Sequence, residues 1–207
     1  MVVQAEGAEA VVGEETFLGL SCVRKTRPVK RYRHPALDRR LRGERLRTEV
    51  RLLRDARRAG VRTPVVLDVD LEASSLMLEK LEGPTLAAVL TEAGGTEATR
   101  GTACQQWGHA LGQLHRAGIS HGDLTASNVL SCEGNVALLD LSLGARAASL
   151  EALGVDLHLV REDLNTLCSD AEPLFARFLA GYRAAFPQGH AEVEERAQEI
   201  QGRVRYS

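Results

Sequence analysis

Three polar residues in the stretch 119–143 have the types and spacing that phosphoryl transfer requires. Asp123 follows an apolar approach, Asn128 comes five positions later, and Asp140 directly follows the apolar run 136–139. That run is typical of a buried strand, so Asp140 would lie at a strand end. In phosphoryl transfer an Asp orients the attacking hydroxyl, while an Asn and a second Asp hold the magnesium that bridges to the phosphates. The combined spacing favours this interpretation over the alternative of a plain polar loop.

Apolar periodicity predicts the elements that would position these residues. Strands are predicted at 10–12, 17–20, 21–25, 64–69, 76–81 and 136–139. Helices are predicted at 37–58, 102–116, 156–167, 173–186 and from 191 onward. Asp38 is a candidate cap for the first helix, and Trp107 is expected in the core of the second.

Composition sets the broad class of the protein. The chain has 207 residues, of which 44% are hydrophobic, and this suits one domain or two small lobes. The cysteines form no CxxC pair, which argues against zinc and a disulfide framework and predicts free thiols in a reducing compartment. No apolar run approaches the length of a membrane span, and the N-terminus has no basic region. We therefore expect a soluble intracellular protein without membrane contact.

The charges are unevenly distributed. The formal net charge is -2, but residues 24–58 hold 15 of the 26 Lys and Arg with only four acidic residues, giving about +11. Such clustering can mark a surface for RNA phosphates, and a solvated helix face is the alternative. Tyr32 is the one aromatic residue in this segment, so base stacking is not indicated.

The segment 121–128, HGDLTASN, resembles the catalytic loop of the small atypical kinase of the KEOPS complex (the PRPK family), which typically reads HGDLTTSN. The resemblance extends in order over most of the chain. It implies an α+β fold, a minimal two-lobed protein-kinase-like fold. The N-lobe (1–83) would be an antiparallel sheet plus one long helix, and the C-lobe (84–207) would be small and mostly helical. The further matching segments are 7–10, 23–27, 32–38, 77–83 and 154–157.

The resemblance also implies roles for residues outside the loop. Lys25 aligns with the kinase lysine that pairs with nucleotide phosphates, and Glu49 with the ion-pair partner of that lysine on the long helix. The alternatives are an exposed cation at a strand end and a helix-surface acid that pairs with Arg45. The backbone groups of Glu79 and Leu81 would hydrogen-bond adenine at the hinge between the lobes.

The segment 7–10 takes the place of the glycine loop that covers the phosphates in kinases. Gly7 and Glu9 are therefore expected to contact the cofactor, although Glu9 would repel a triphosphate unless a metal or Lys25 lies between them. The implied cofactors are ATP and Mg²⁺. The implied residues are the catalytic Asp123, Lys25 and Glu49 and the metal-binding Asn128 and Asp140.

Two segments depart from the family pattern. Residues 140–142 read Asp-Leu-Ser instead of Asp-Phe-Gly, and serine in place of glycine is expected to restrict the backbone after the metal ligand. Residues 151–153 read Glu-Ala-Leu instead of Glu-Asp-Lys, so weaker catalysis is expected. Asp156 is expected to anchor the catalytic loop, and His121 to brace it. Gly122 replaces the arginine of kinases that activation-loop phosphorylation switches, so that control is not expected.

The function implied is an ATP-dependent atypical serine/threonine kinase or ATPase subunit of the KEOPS complex, which supports tRNA threonylcarbamoyladenosine modification. Its implied partners are a small KEOPS subunit on the N-lobe and the threonylcarbamoyl-transferase subunit on the C-lobe, with tRNA reached through the complex. The implied location is the cytoplasm, with the nucleus as a second one.

Two alternatives remain open. A small-molecule phosphotransferase of the aminoglycoside or choline kinase type also carries H-x-D-x-x-x-x-N, but it would need a larger helical lobe than the 67 residues after Asp140 provide. A scaffold with weak catalysis is compatible with the altered segments at 140–142 and 151–153. The residues alone indicate only ATP-dependent phosphoryl transfer.

Overall fold

The first part of the chain forms an antiparallel sheet. This computed structural model describes residues 2–6, 10–91, 96–132 and 134–204. The sheet has five strands in the order β1-β2-β3-β5-β4. Gly7 and Glu9 lie outside the described residues, so their predicted cofactor contacts stay predictions. The strands are β1 Val2–Glu6, β2 Val11–Phe17, β3 Leu20–Thr26, β4 Val66–Asp70 and β5 Ser75–Glu79.

A tight turn joins β2 to β3. Leu18 and Gly19 both have positive φ, 50° and 81°, as the two central residues of a type I′ hairpin turn do. The prediction of a strand over 17–20 is therefore wrong at its centre. The turn sets the register that brings Val12 opposite Lys25.

One long helix, α1 (Pro35–Arg58), connects β3 to β4. Its N-cap is His34, whose Nδ1 accepts a hydrogen bond from the amide of Ala36 at 3.3 Å. Asp38, the predicted cap, lies inside the helix, where it is buried and accepts hydrogen bonds from Arg42. The helix thus begins earlier than its apolar pattern indicates, because Pro35 is favourable at a first helical position.

The second part of the chain is mostly helical. Its helices are α2 Leu86–Thr91, α3 Glu97–Arg116, α4 Leu150–Leu167, α5 Ala171–Ala185 and α6 His190–Val204. Its short strands are β6 Ile119–Ser120, β7 Val129–Cys132, β8 Asn135–Leu138 and β9 Ala145–Arg146. β7 and β8 form a hairpin and β6 pairs with β9. The α+β class and the kinase-like division into a sheet part and a helical part are confirmed.

Helices α3 and α5 pack closely and form the core of the helical part. Trp107 is fully buried, as predicted, and its ring meets Phe178 edge to face, with centroids 5.3 Å apart. A Cβ at Gly108 would collide with the Phe178 carbonyl, so glycine is needed where the two helices touch. This packing fixes the C-terminal end of α3, from which the chain runs into the loop containing Asp123.

Helix α4 starts earlier than predicted. Ser149 caps it by accepting a hydrogen bond from the amide of Ala152 at 3.2 Å, so residues 150–155 are already helical. Asp156 then lies on the inner face of the helix, fully buried. No helix among the described residues is long and apolar enough to cross a membrane.

Candidate active site

A cleft of about 440 Å³ lies between the sheet and the β7–β8 hairpin. Its size falls within the range of small-ligand sites. Six of the residues implicated by the sequence line it: Lys25, Glu49, Glu79, Leu81, Asn128 and Asp140. Apolar contacts come from Val12, Val23, Leu53, Leu78, Leu130 and Leu139.

A compact cluster of opposite charges forms the inner end of the cleft. Lys25 Nζ lies 2.7 Å from Glu49 Oε1 and 2.7 Å from Asp140 Oδ1. Arg27 Nη2 lies 2.6 Å from Glu49 Oε2. Lys25 from β3 and Arg27, one residue beyond its end, thus meet one acid from α1 and one from the segment after β8. Sequence reasoning missed Arg27, although its position two residues after Lys25 continues the strand face to which Lys25 belongs.

The burial of Lys25 and Glu49 distinguishes a site ion pair from the alternative of two exposed surface charges. Glu49 is fully buried and Lys25 is 8% exposed, so neither a helix-surface acid nor an exposed strand-end cation fits. Glu49 lies on the same helix face as Leu46 and Leu53, inside the stripe whose edge it was expected to occupy. A buried charge is retained at low cost only beside opposite charge, which the cluster supplies.

Asp140 carries its charge inside this cluster. Burial alone would raise the pKa of its carboxyl, but the charge and hydrogen bond of Lys25 outweigh burial, with help from Ser142 and Arg27. The pKa is lowered to about 2. The carboxylate is therefore ionised at neutral pH, the state that a magnesium ligand needs.

The backbone strain at the altered triad lies on Asp140 and not on Ser142. Asp140 has φ 52°, in the left-handed region, whereas Ser142 does not have positive φ. The amide of Ser142 donates to Asp140 Oδ1 at 3.3 Å. The expected restriction by serine is thus wrong for this conformation, because position 142 does not need the freedom of glycine.

The loop 121–128 presents Asp123 and Asn128 together. Asn128 Nδ2 donates to the Asp123 carbonyl at 2.8 Å and to its Oδ2 at 3.3 Å. The Asn128 carbonyl accepts from the amide of Leu139 at 2.9 Å, which ties this loop to the residue before Asp140. Asp123 is exposed, and its carboxylate is open to a substrate from solvent.

Asp156 anchors this loop, as predicted. Its carboxylate accepts hydrogen bonds from the amides of His121 at 2.7 Å and Gly122 at 2.8 Å. His115 Nε2 lies 3.1 Å from the same carboxylate, and His115 Nδ1 lies 2.8 Å from the Tyr182 hydroxyl. Burial raises the pKa of Tyr182, so its hydroxyl keeps its proton and can donate. The loop is thereby connected to both core helices, α3 and α5.

His121 braces the other side of the loop. It is fully buried, and burial lowers the pKa of its imidazole, so the ring is neutral at neutral pH. Its Nε2 donates to the Leu139 carbonyl at 2.8 Å, which leaves Nδ1 to accept from the amide of Asp123 at 3.4 Å. The predicted bracing role of His121 is confirmed. Asp123 therefore lies in a loop that Asp156 and His121 both hold by hydrogen bonds.

Asp163 is a second residue that sequence reasoning missed. From α4, its Oδ2 accepts the amide of Ala126 at 2.6 Å and so holds the short 3₁₀ turn Ala126–Asn128. Burial, followed by the nearby charge of Asp123, raises the pKa of Asp163 against the effect of this hydrogen bond. No local pattern marks it, since the contact joins residues 37 positions apart.

The segment after β5 borders the cleft as expected for a hinge. The Glu79 amide donates to the Val65 carbonyl at 2.8 Å, and the Glu79 side chain accepts from the Val65 amide at 3.0 Å. Among the described residues no hydrogen bond engages the amide of Leu81. Gly83 has φ 140°, and a Cβ there would collide with the Ser131 carbonyl. The chain can therefore turn closely past the β7–β8 hairpin only with glycine at this position.

The donor groups of the cleft fit magnesium. Asp140 offers an ionised carboxylate and Asn128 an amide oxygen, the hard oxygen ligands that Mg²⁺ prefers. Both line the same cleft, beside Lys25. A magnesium site in kinases is completed by phosphate oxygens and water, so two protein ligands suffice.

The sheet with one long helix, the helical part and the cleft between them define a protein of the kinase-like class. The model of the lipopolysaccharide kinase (Kdo/WaaP) family matches residues 8–166. The chain belongs to this family.

Curated relatives point to one pathway. Over 98% of its length the chain is 42% identical to a probable bifunctional tRNA threonylcarbamoyladenosine biosynthesis protein of Methanoculleus marisnigri, of which it covers 35%. It is 37% identical over 98% of its length to the protein of that description from Methanothermobacter thermautotrophicus, of which it covers 36%. The Thermoplasma volcanium protein of that description is 34% identical over 97% of the chain. The chain spans about a third of these relatives, and the resemblance to a kinase of this pathway is confirmed.

Proposed function

We propose that this chain is an ATP-dependent atypical kinase or ATPase that supports threonylcarbamoyladenosine modification of tRNA. The observation that carries the proposal is the joining of the Lys25–Glu49 pair to Asp140 at one end of a nucleotide-sized cleft. Asp123 and Asn128 lie beside it on the loop that Asp156 anchors. A scaffold that does no chemistry would have no need to keep three charges buried, those of Lys25, Arg27 and Glu49, at this cost.

Each residue has a distinct part in the proposed reaction. Lys25 binds nucleotide phosphate, and Asn128 and Asp140 hold Mg²⁺, which supplies neutralisation of phosphate charge when bound. Asp123 orients a serine or threonine hydroxyl, or a water, and accepts its proton as the oxygen bonds to the γ-phosphorus and the bond to the β-phosphate oxygen breaks. The products are a phosphorylated acceptor or inorganic phosphate, and ADP.

The nucleotide would lie along the hinge. The backbone of Glu79 and Leu81 is proposed to bind adenine, and the borders of the cleft are consistent with this. Gly7 and Glu9 are proposed to cover the phosphates. We place the division into lobes at residues 83 and 84, where Gly83 makes the close turn past the hairpin.

The pathway and partners are inferred from the relatives. Their names place them in tRNA threonylcarbamoyladenosine biosynthesis, and they match nearly the whole chain. This favours the tRNA pathway over the lipopolysaccharide substrate in the family description. The proposed partners are a threonylcarbamoyl-transferase subunit, a small KEOPS subunit on the N-lobe, and tRNA through the complex, in the cytoplasm or nucleus.

The test is ATP turnover by the purified chain alone, with a threonylcarbamoyl-transferase subunit, and with that subunit plus tRNA. We expect Mg²⁺-dependent turnover that the transferase subunit changes. Asp140→Asn is the matched variant, because a neutral amide is a weaker magnesium ligand and should abolish the Mg²⁺ dependence of nucleotide binding. Absence of turnover under all three conditions would support the scaffold, and phosphorylation of small aminoalcohols would support the small-molecule phosphotransferase.

A further inference from the structure

Arg27 is a second buried cation, which pairs with the cleft residue Glu49. It is 3% exposed, and its Nη2 lies 2.6 Å from Glu49 Oε2. Lys25 contacts the other oxygen of that carboxylate, Oε1, at 2.7 Å. Glu49 therefore has one cation on each oxygen, Lys25 from β3 and Arg27 from the residue that follows this strand.

The two cations are not equivalent. Lys25 Nζ is divided between Glu49 and Asp140, at 2.7 Å from each. Of the two acids in the cluster, Arg27 is within hydrogen-bond distance of Glu49 and not of Asp140, from which it is separated by 3.9 Å. Lys25 is thus the cation that can exchange partners, and Arg27 is the one committed to the acid on α1.

This difference matters if Lys25 binds nucleotide phosphate, as the proposed function requires. When Lys25 also contacts a phosphate, its charge is divided among Glu49, Asp140 and the phosphate, so it neutralises Glu49 less. A buried carboxylate with a weakened counter-charge is costly and would favour movement of α1 out of the cleft. A guanidinium keeps its charge at all relevant pH and holds a carboxylate in fixed geometry.

We propose that Arg27 is a positioning residue that holds Glu49, and with it α1, at the cleft while Lys25 contacts the nucleotide. The part that concerns the nucleotide rests on the proposed function. The part that concerns α1 does not, because the Arg27–Glu49 contact is present in the chain without nucleotide. A kinase-like protein with this second cation would keep its helix docked whether or not the lysine is engaged.

The first test measures amide hydrogen exchange of α1 in the full chain without nucleotide. Arg27→Gln should raise exchange around Glu49 about tenfold, because its docking contact is lost. Lys25→Met, which removes the lysine charge, should change the exchange around Glu49 less than about threefold. Arg24→Gln is the control, since Arg24 lies on the same strand but pairs with Glu15 at 2.6 Å. Amide hydrogen exchange of α1 in Arg24→Gln should equal that of the unaltered protein.

The second test separates positioning from general stability. In a Glu49→Gln background, Arg27→Gln should add nothing to the exchange of α1, because the coupled acid is already gone. Arg27→Lys should recover part of the protection and serves as the variant to measure if Arg27→Gln does not fold. With ATP, Arg27→Gln should lower kcat and change nucleotide Kd less than about threefold, whereas Lys25→Met should weaken nucleotide binding.

Several outcomes would overturn the proposal. One is unchanged α1 exchange in Arg27→Gln, and another is equal exchange in Lys25→Met and Arg27→Gln. An equal effect of Arg27→Gln with and without the Glu49 change would also overturn it. Absence of ATP turnover in the unaltered chain would instead count against the proposed function and would leave the exchange result standing.

Discussion

The two sides of the cleft are held by different forces. On the sheet side, Lys25, Arg27 and Glu49 are held by ion pairs between separate elements, and Lys25 also pairs with Asp140 across the cleft. On the helical side, the loop carrying Asp123 is held by hydrogen bonds from its backbone to one buried carboxylate. Ion pairs can exchange partners when a charged ligand arrives, whereas backbone hydrogen bonds to a fixed acceptor keep one geometry. The sheet side is therefore suited to receive phosphate, and the loop side to hold the reacting group in place.

The loop side can be tested most directly at Asp123. Asp123→Ala should lower ATP turnover about 10³-fold, because a positioned acid that accepts the proton contributes on that scale. The free energy of unfolding should change by less than about 0.5 kcal/mol, since Asp123 is an exposed residue outside the core. Turnover assays and thermal unfolding measure the two quantities. Unchanged turnover would remove Asp123 from the reaction.

The comparison of the two sides of the cleft predicts that Asp156 acts by stabilising the folded loop. Asp156→Ala should cost about 3 kcal/mol or more of unfolding free energy, because two backbone amides and His115 lose a buried acceptor. Chemical denaturation measures this. Asp163→Ala is the matched variant: it removes the single bond to Ala126, and about 1 kcal/mol is expected. If the two variants lose equal stability, Asp156 is not the main anchor of the loop.

How far the sequence predicts this site depends on whether the contact is local. The sequence predicts the loop 121–128 as a unit because its pattern lies in eight consecutive residues, and the catalytic and metal-binding roles within it stay predictions. Glu49 was placed at the edge of the helix stripe, since a charge is expected outside the core until its partners on another element are known. Arg27 and Asp163 were missed for the same reason, because each acts on a residue distant in the chain. The Arg27–Glu49 and Asp163–Ala126 contacts form only when the folded chain brings these distant residues together.

The sheet side should show its dependence on charge as a function of pH. The pKa of Asp140, about 2, lies below the ordinary value of 3.8. Its ionised form therefore stabilises the fold above about pH 4, and this contribution is lost as the pH falls toward 2. Lys25→Met should raise the pKa of Asp140, because burial then acts without its main counter-charge. Carboxylate NMR titration of the metal-free and nucleotide-free protein measures it, and an unmoved pKa would contradict the pairing.

The exposed arginines of the basic segment 24–58 should have the smallest effect on the site, because none of them lines the cleft. Arg42, an arginine of this segment, donates hydrogen bonds to Asp38 at 2.7 Å and to the Ser74 hydroxyl at 2.7 Å. Arg39 and Arg47 are exposed, and Arg40 is exposed with only the surface acid Glu44 as a partner in its ion pair. The candidate phosphate contacts are therefore Arg39, Arg40 and Arg47.

Changing Arg39, Arg40 and Arg47 together to Gln should flatten the salt dependence of tRNA binding by roughly one unit of slope per lost contact. ATP turnover should persist, because none of the three lines the cleft. Titration of tRNA at several salt concentrations measures the slope, with exposed Arg116→Gln on α3 as the control. An unchanged slope would make the segment a solvated face, since an ionic contact with phosphate must release counterions when it forms.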